Sequence, residues 1–338
     1  MNKKKLNSIS TFLAEKPKGI LAADESTGTI TKRFEKIRLN STFENRRKYR
    51  EILISTKGIE DFISGVIFYD ETIRQIDSSG KKFTDLLKDK NIHPGIKVDT
   101  GAKNLVGTEK EMITEGLDNL NKRLEEYASM GATFSKWRAV INIDESIPTE
   151  YCISLNAHAL ARYARLVQNY DMVPIVEPEV IMDGKHDIEK CFDVTSKTLK
   201  IVFDELNFQG VYLGGILLKP NMIISGTGSN TQSDISQVSK MTIECLEKNV
   251  PDEVPGIVFL SGGQKNELAT EHLNQMNIEK TDSWNLSFSY GRALQQPVIT
   301  TWKGKDENID QAQNEFLKRC RLNSLATIGK YKKEMEHS

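Results

Sequence analysis

Eight short apolar runs alternate with helix-like stretches, and several of the runs end in charged residues. Together these features predict a single-domain (β/α)8 barrel. Runs of this length and apolarity read as parallel strands buried on both faces. Polar residues fall at the ends of many different runs, as an active mouth at one end of a barrel requires. An open doubly wound sheet is the competing reading, but no GxGxxG turn follows the first run.

In order, the runs are 19–24, 62–70, 94–99, 133–140, 172–180, 215–222, 256–263 and 285–291. Helix-like segments between them include 109–130, 153–169 and 187–206. No Pro/Gly/Ser-rich linker divides the 338 residues, and barrels of this size form one domain. Residues 1 to about 18 read as a short N-terminal extension whose Lys3, Lys4 and Lys5 form a solvated terminus. The tail from about 311 to 338 starts helix-like and becomes charged, and its last residues are expected to be mobile.

Lys+Arg number 46 and Asp+Glu 47, so the net charge is −1. Nonspecific nucleic-acid binding needs a positive surplus that is absent here. No apolar run approaches membrane-spanning length, so no membrane partner is expected. Cys152, Cys191, Cys245 and Cys320 lie far apart without CxxC or metal spacing, which fits a reducing cytoplasm. The five histidines form no paired-ligand pattern. Neither a metal nor a cofactor is called for.

Alternation along a strand puts residues i and i+2 on one face. Lys136 and Arg138 therefore share a face with Trp137 opposite, Glu177 and Glu179 share another, and Lys97 and Asp99 make a third pair. In a barrel that common face is the interior, near the C-terminal mouth. Matched lysines and carboxylates there would offset one another's charge. Structural ion-pair networks produce the same pattern.

Lys219, in GGILLKPN, sits at the end of the sixth run, where an unpartnered buried ammonium would be very costly. A buried amine is a nucleophile for carbonyl carbon once deprotonated. Bringing a lysine from a pKa of about 10.4 to near neutrality costs roughly 4 kcal/mol. Desolvation and a neighbouring cation such as Lys136 act in that direction.

Two sites suit an anion. Ser261–Gly263 ends the seventh run and leads into a helix start at 264–269, and Ser289–Leu294 ends the eighth and supplies Arg292. Backbone N–H groups at such loops hold phosphate, and loops after strands seven and eight are the usual phosphate site of barrel enzymes. GTGS at 226–229 looks similar, but with no helix start after it reads as a flexible connection.

GILAADESTGTITKR, GIKVD, SKWRAV, PIVEPEV, LLKPNM, FLSGGQ and SFSYGRALQ follow in order from Gly19 to Gln295. The series resembles class I fructose-bisphosphate aldolase. That resemblance implies a metal-independent TIM barrel, usually a homotetramer, acting on a sugar phosphate in glycolysis and gluconeogenesis. It implies that Lys219 forms the Schiff base, that Glu177 is its acid/base with Lys136 close by, and that Asp24 takes the C4 hydroxyl proton. It implies too that Glu179 sets the charge state of the lysine pair. Ser261, Gly262, Gly291 and Arg292 would hold the C1 phosphate. Ser26, Thr29 and Lys97 would face the other phosphate, with Arg33 and Arg138 lining the cleft. Another ketose phosphate as preferred substrate, or a noncatalytic sugar-phosphate scaffold, are the alternatives. The chain ends in EMEHS with Tyr331 its nearest tyrosine, so the family's tail-tyrosine role is not carried onto it.

Overall fold

A computed structural model describes residues 1–279 and 283–337, so the terminal Ser338 lies outside the described residues. Eight strands close into a barrel: β1 Gly19–Ala23, β2 Ile63–Phe68, β3 His93–Lys97, β6 Phe134–Ile141, β7 Val173–Val180, β8 Leu217–Leu218, β9 Gly256–Phe259 and β10 Asn285–Tyr290. Their order around the barrel is β1-β10-β9-β8-β7-β6-β3-β2. Each paired neighbour runs parallel. All eight predicted runs are barrel strands, with ends that coincide or shift by up to four residues.

Period-two alternation builds the interior in layers. Along β6, Phe134 points in, Trp137 points out to stack on Tyr163 of the helix Glu150–Gln168, and Lys136 and Arg138 point into the mouth. Along β7, Val173 and Ile175 fill the barrel floor, while Glu177 and Glu179 reach the mouth. The floor needs space for the Phe134 ring. A Cβ on Gly95 of β3 would lie 2.3 Å from that ring, so no larger residue fits without a shift.

The N-terminal extension is helical. Lys3–Leu13 is a helix capped by Asn2, whose side chain accepts the Lys5 N–H at 3.1 Å. Its three lysines are exposed, but Leu6, Ile9 and Leu13 close the barrel floor against Ile20, Ile67 and Val258. The tail starts as the expected helix and is tied down beyond it. After the helix Ile309–Ala326, Lys333–His337 forms a 3-10 turn in which Glu336 lies 2.6 Å from the buried Arg319 and accepts from Tyr331 Oη at 3.0 Å.

The predicted helix at 109–130 is only half right. Met112–Glu115 (β5) pairs antiparallel with Gly101–Asn104 (β4), and the helix begins at Leu120. Thr114 explains the difference: its N–H is donated to Asn156 and its hydroxyl to the Arg138 carbonyl, which ties the segment to β6. The sixth run shortens to Leu217–Leu218 because Pro220 cannot donate to a ladder. The Lys219 N–H still donates to the Val176 carbonyl at 2.8 Å, holding its side chain in register with Glu177.

Candidate active site

The C-terminal mouth opens into a cavity of about 720 Å³ lined by both glutamates of β7 and both cations of β6. Asp24 enters from the end of β1 and Lys219 from the end of β8. At the centre, Lys136 Nζ stands 2.7 Å from Asp24 Oδ2 and 3.1 Å from Glu177 Oε2. Lys219 Nζ stands 3.3 Å from the other oxygen, Glu177 Oε1. One carboxylate therefore serves two ammonium groups, and two anions match two cations. The Lys136, Lys219 and Glu177 side chains are each no more than 5% exposed, so that match is what makes their burial tolerable.

The charges bias one another strongly. Burial alone would raise the Asp24 carboxyl, but Lys136 and Lys219 outweigh it and hold it well below the usual range. Glu177 is lowered in the same contest between burial and its two lysines, with Arg138 adding to them. Lys136 is buried too, yet Asp24 and Glu177 raise it above an ordinary lysine. It stays a cation, fixed between two carboxylates.

The rim repeats the pattern. Arg138 Nε donates to Glu179 Oε2, and Lys97 Nζ lies 2.6 Å from Asp99 Oδ1. Glu25, beside Asp24, joins Arg33 through one oxygen and lies 2.6 Å from Arg50 through the other. Gln295 Nε2 donates to Glu25 at 2.8 Å and to the Ala22 carbonyl at 2.7 Å. Arg33 is thereby aimed into the cavity from the helix Thr27–Glu35, which Ser26 caps by accepting the Thr29 N–H at 3.4 Å.

On the far wall, Gly262 has φ +52°, and Ser261 is almost wholly buried ahead of the helix Asn266–Glu279. Arg292 opens the helix Arg292–Trp302 and donates to the Gln264 carbonyl and, at 3.0 Å, to Asn266 Oδ1. Burial lowers the Arg292 guanidinium, and the Arg33 cation lowers it further. Two cations that repel across a polar cavity are an arrangement an anion relieves.

Every predicted site residue lines this one cavity: Asp24, Ser26, Thr29, Arg33, Lys97, Lys136, Arg138, Glu177, Glu179, Lys219, Ser261, Gly262, Gly291 and Arg292. Sequence reasoning passed over Glu25, Arg50 and Gln295, which brace Arg33. Glu25 carried one usable signal, a second carboxylate directly after Asp24. Nothing local marked Arg50 or Gln295, because their meeting point is made only by barrel closure. The GTGS loop was expected to be a flexible connection; instead its backbone is hydrogen-bonded to the segment after β7. Among the described residues, no group of three or more His, Cys, Asp or Glu is placed to hold a metal ion.

Fold and site together define the class: a (β/α)8-barrel enzyme with a charge-balanced amine–carboxylate centre at its C-terminal mouth. A family model described as "Fructose-bisphosphate aldolase class-I" matches residues 5–338, and the chain belongs to that family of metal-independent glycolytic lyases acting on a sugar phosphate. It is 52% identical over 316 residues to a probable class 1 fructose-bisphosphate aldolase of Xanthomonas campestris, covering 93% of this chain and 95% of that one. It is 50% identical to the fructose-bisphosphate aldolase of Dictyostelium discoideum, covering 93% and 89%. A solved fructose-bisphosphate aldolase of Plasmodium falciparum, in complex with TRAP and a small-molecule inhibitor, superposes with a TM-score of 0.96 at 48% identity, covering 98% and 96%. Among the described residues no helix is long and apolar enough to cross a membrane.

Proposed function

We infer that the chain cleaves fructose 1,6-bisphosphate reversibly to dihydroxyacetone phosphate and glyceraldehyde 3-phosphate through a Schiff base on Lys219. The observation that carries this reading is the Glu177 carboxylate set between Lys219 at 3.3 Å and Lys136 at 3.1 Å. It puts a proton carrier beside the amine that must first add to a carbonyl and then expel water.

The Lys219 amine adds to the ketose C2, and the former carbonyl oxygen takes up a proton to give a carbinolamine. The proton that the Lys219 ammonium sheds to become a nucleophile passes to Glu177 at 3.3 Å, which without that neighbouring cation loses one of the charges that depress it and can hold the proton. Glu177 protonates the carbinolamine hydroxyl, water leaves, and an iminium forms. Asp24, held ionised, accepts the C4 hydroxyl proton. The C3–C4 electron pair passes into the iminium as an enamine, and the C4 oxygen becomes the aldehyde of glyceraldehyde 3-phosphate. Protonation at C3 and hydrolysis then release dihydroxyacetone phosphate and the amine. Lys136 remains charged throughout and holds Asp24 and Glu177 in place, while Glu179 fixes Arg138.

Ser261, Gly262, Gly291 and Arg292 receive the C1 phosphate in this reading, and Ser26, Thr29 and Lys97 the other, with Arg33 and Arg138 along the cleft between. Comparing kcat/KM for the bisphosphate and fructose 1-phosphate tests it. A clear preference for the bisphosphate is expected, and equal values would defeat the assignment.

The same reading makes the chain a cytoplasmic homotetramer. Four free cysteines support the reducing compartment, and a cytosolic Arabidopsis thaliana aldolase is 48% identical. Phe208 is 84% exposed, an apolar side chain that subunit contact would cover. In this reading residues 1 to about 18 and the described part of the tail from about 311 belong to the same folding unit as the barrel. Light scattering in solution tests the assembly, with a mass of four chains expected.

A further inference from the structure

The GTGS motif at 226–229 has no role in the chemistry above. Its amides are already committed. Gly226 N–H donates to the His186 carbonyl at 2.9 Å, Thr227 to Met182 at 2.9 Å and Gly228 to Gly184 at 2.7 Å. Gln232 Nε2 secures the turn from the other side, donating to the Gly226 carbonyl at 2.9 Å. A Cβ on Gly226 would stand 2.5 Å from the Gly184 carbonyl oxygen, so the approach depends on glycine. The loop after β8 is thus zipped onto the segment after β7.

That segment carries Met182 across to a third loop. The Gly263 N–H donates to Met182 Sδ at 2.9 Å, and a Cβ on Gly262 or Gly263 would meet the same sulfur at 3.3 or 3.1 Å. Met182 is half-buried and lines the active-site cavity. A thioether is a weak acceptor, and an unbranched side chain with three rotatable bonds moves aside easily. A phosphate oxygen is the far stronger acceptor for an N–H group.

We propose that Met182 is a specificity-determining residue: its sulfur competes internally for the Gly263 N–H, and the GTGS loop is the clamp that keeps it there. Phosphate binds at the SGG loop only by displacing the thioether, so Met182 sets how tightly a phosphorylated ketose is held. Arg292 is restrained in the same way by Gln264 and Asn266, and the two internal contacts release together when the anion arrives. This rests on the reading that the SGG loop receives the substrate phosphate.

Calorimetric titration of the full-length protein with dihydroxyacetone phosphate separates the two. Ser261→Ala and Arg292→Ala must weaken binding; if neither does, the phosphate reading itself fails and the inference with it. With that established, Met182→Leu, of similar volume but without an acceptor, should tighten binding about three- to tenfold, the range of one modest hydrogen bond released. Hydrogen exchange at the Gly263 amide should quicken in the same variant. Gly226→Ala should alter phosphate affinity in the parent and have no effect in the Met182→Leu background. Unchanged or weaker binding by Met182→Leu would overturn the competition, and equal effects of Gly226→Ala in both backgrounds would overturn the clamp. A purely structural Met182 can only lose affinity on substitution.

Discussion

Replacing Lys136 with methionine tests whether this lysine keeps the two central carboxylates ionised. Lys136 stands 2.7 Å from Asp24, and it shares Glu177 with Lys219. The variant leaves two buried carboxylates facing one ammonium. Removing one partner of a buried ion pair costs about 3–5 kcal/mol, so urea unfolding at pH 7 should report a loss of that size. The pH dependence carries the sharper information. Asp24 and Glu177 are both lowered in the folded state, so their stabilisation is complete at neutral pH. It is lost only as pH falls through the depressed folded-state values.

Without Lys136, burial wins at one or both carboxyls, which take up a proton as the pH falls while the parent does not. The stability gap between parent and variant should therefore narrow steadily from pH 7 to pH 5. A gap constant to within about 0.5 kcal/mol over that range would refute the argument, because Lys136 would then not be holding carboxylates ionised. Turnover of the bisphosphate should fall by about 10²–10⁴-fold as the acid and base lose their charge states.

Leu13→Ala, which opens a hole in the barrel floor against Ile20 and Ile67, should cost about 2–5 kcal/mol by chemical denaturation, with KM for the bisphosphate unchanged. Glu25→Gln should raise KM through Arg33 more than it lowers kcat, and Glu25→Asp should recover part of the loss; steady-state kinetics on the two variants checks this. Glu336→Gln leaves the Arg319 cation without its carboxylate at a site almost closed to solvent, and should lower Tm by several degrees in calorimetry.

The central chemistry was legible because strand alternation is rigid. Once Lys136, Arg138, Glu177 and Glu179 are assigned to β6 and β7, period two sends all four into one mouth. Lys219 was legible because an ammonium beside a buried apolar run needs a partner, and Glu177 supplies it. Contacts made by barrel closure were not legible: Glu25 meets Gln295 across 270 positions, and no local pattern encodes that distance. The β4–β5 hairpin was hidden because its anchoring partners, Asn156 and Arg138, lie outside the segment. Met182 was hidden because a methionine after a strand resembles ordinary packing. Only the position of Gly263 gives its sulfur a donor.

The covalent role of Lys219 is tested most directly by borohydride reduction in the presence of dihydroxyacetone phosphate, followed by peptide mass mapping. A single reduced adduct is predicted, on Lys219, absent in Lys219→Ala and formed equally with a chelator present. An unmodified Lys219 in the parent protein, or an adduct on a different lysine, would contradict the account.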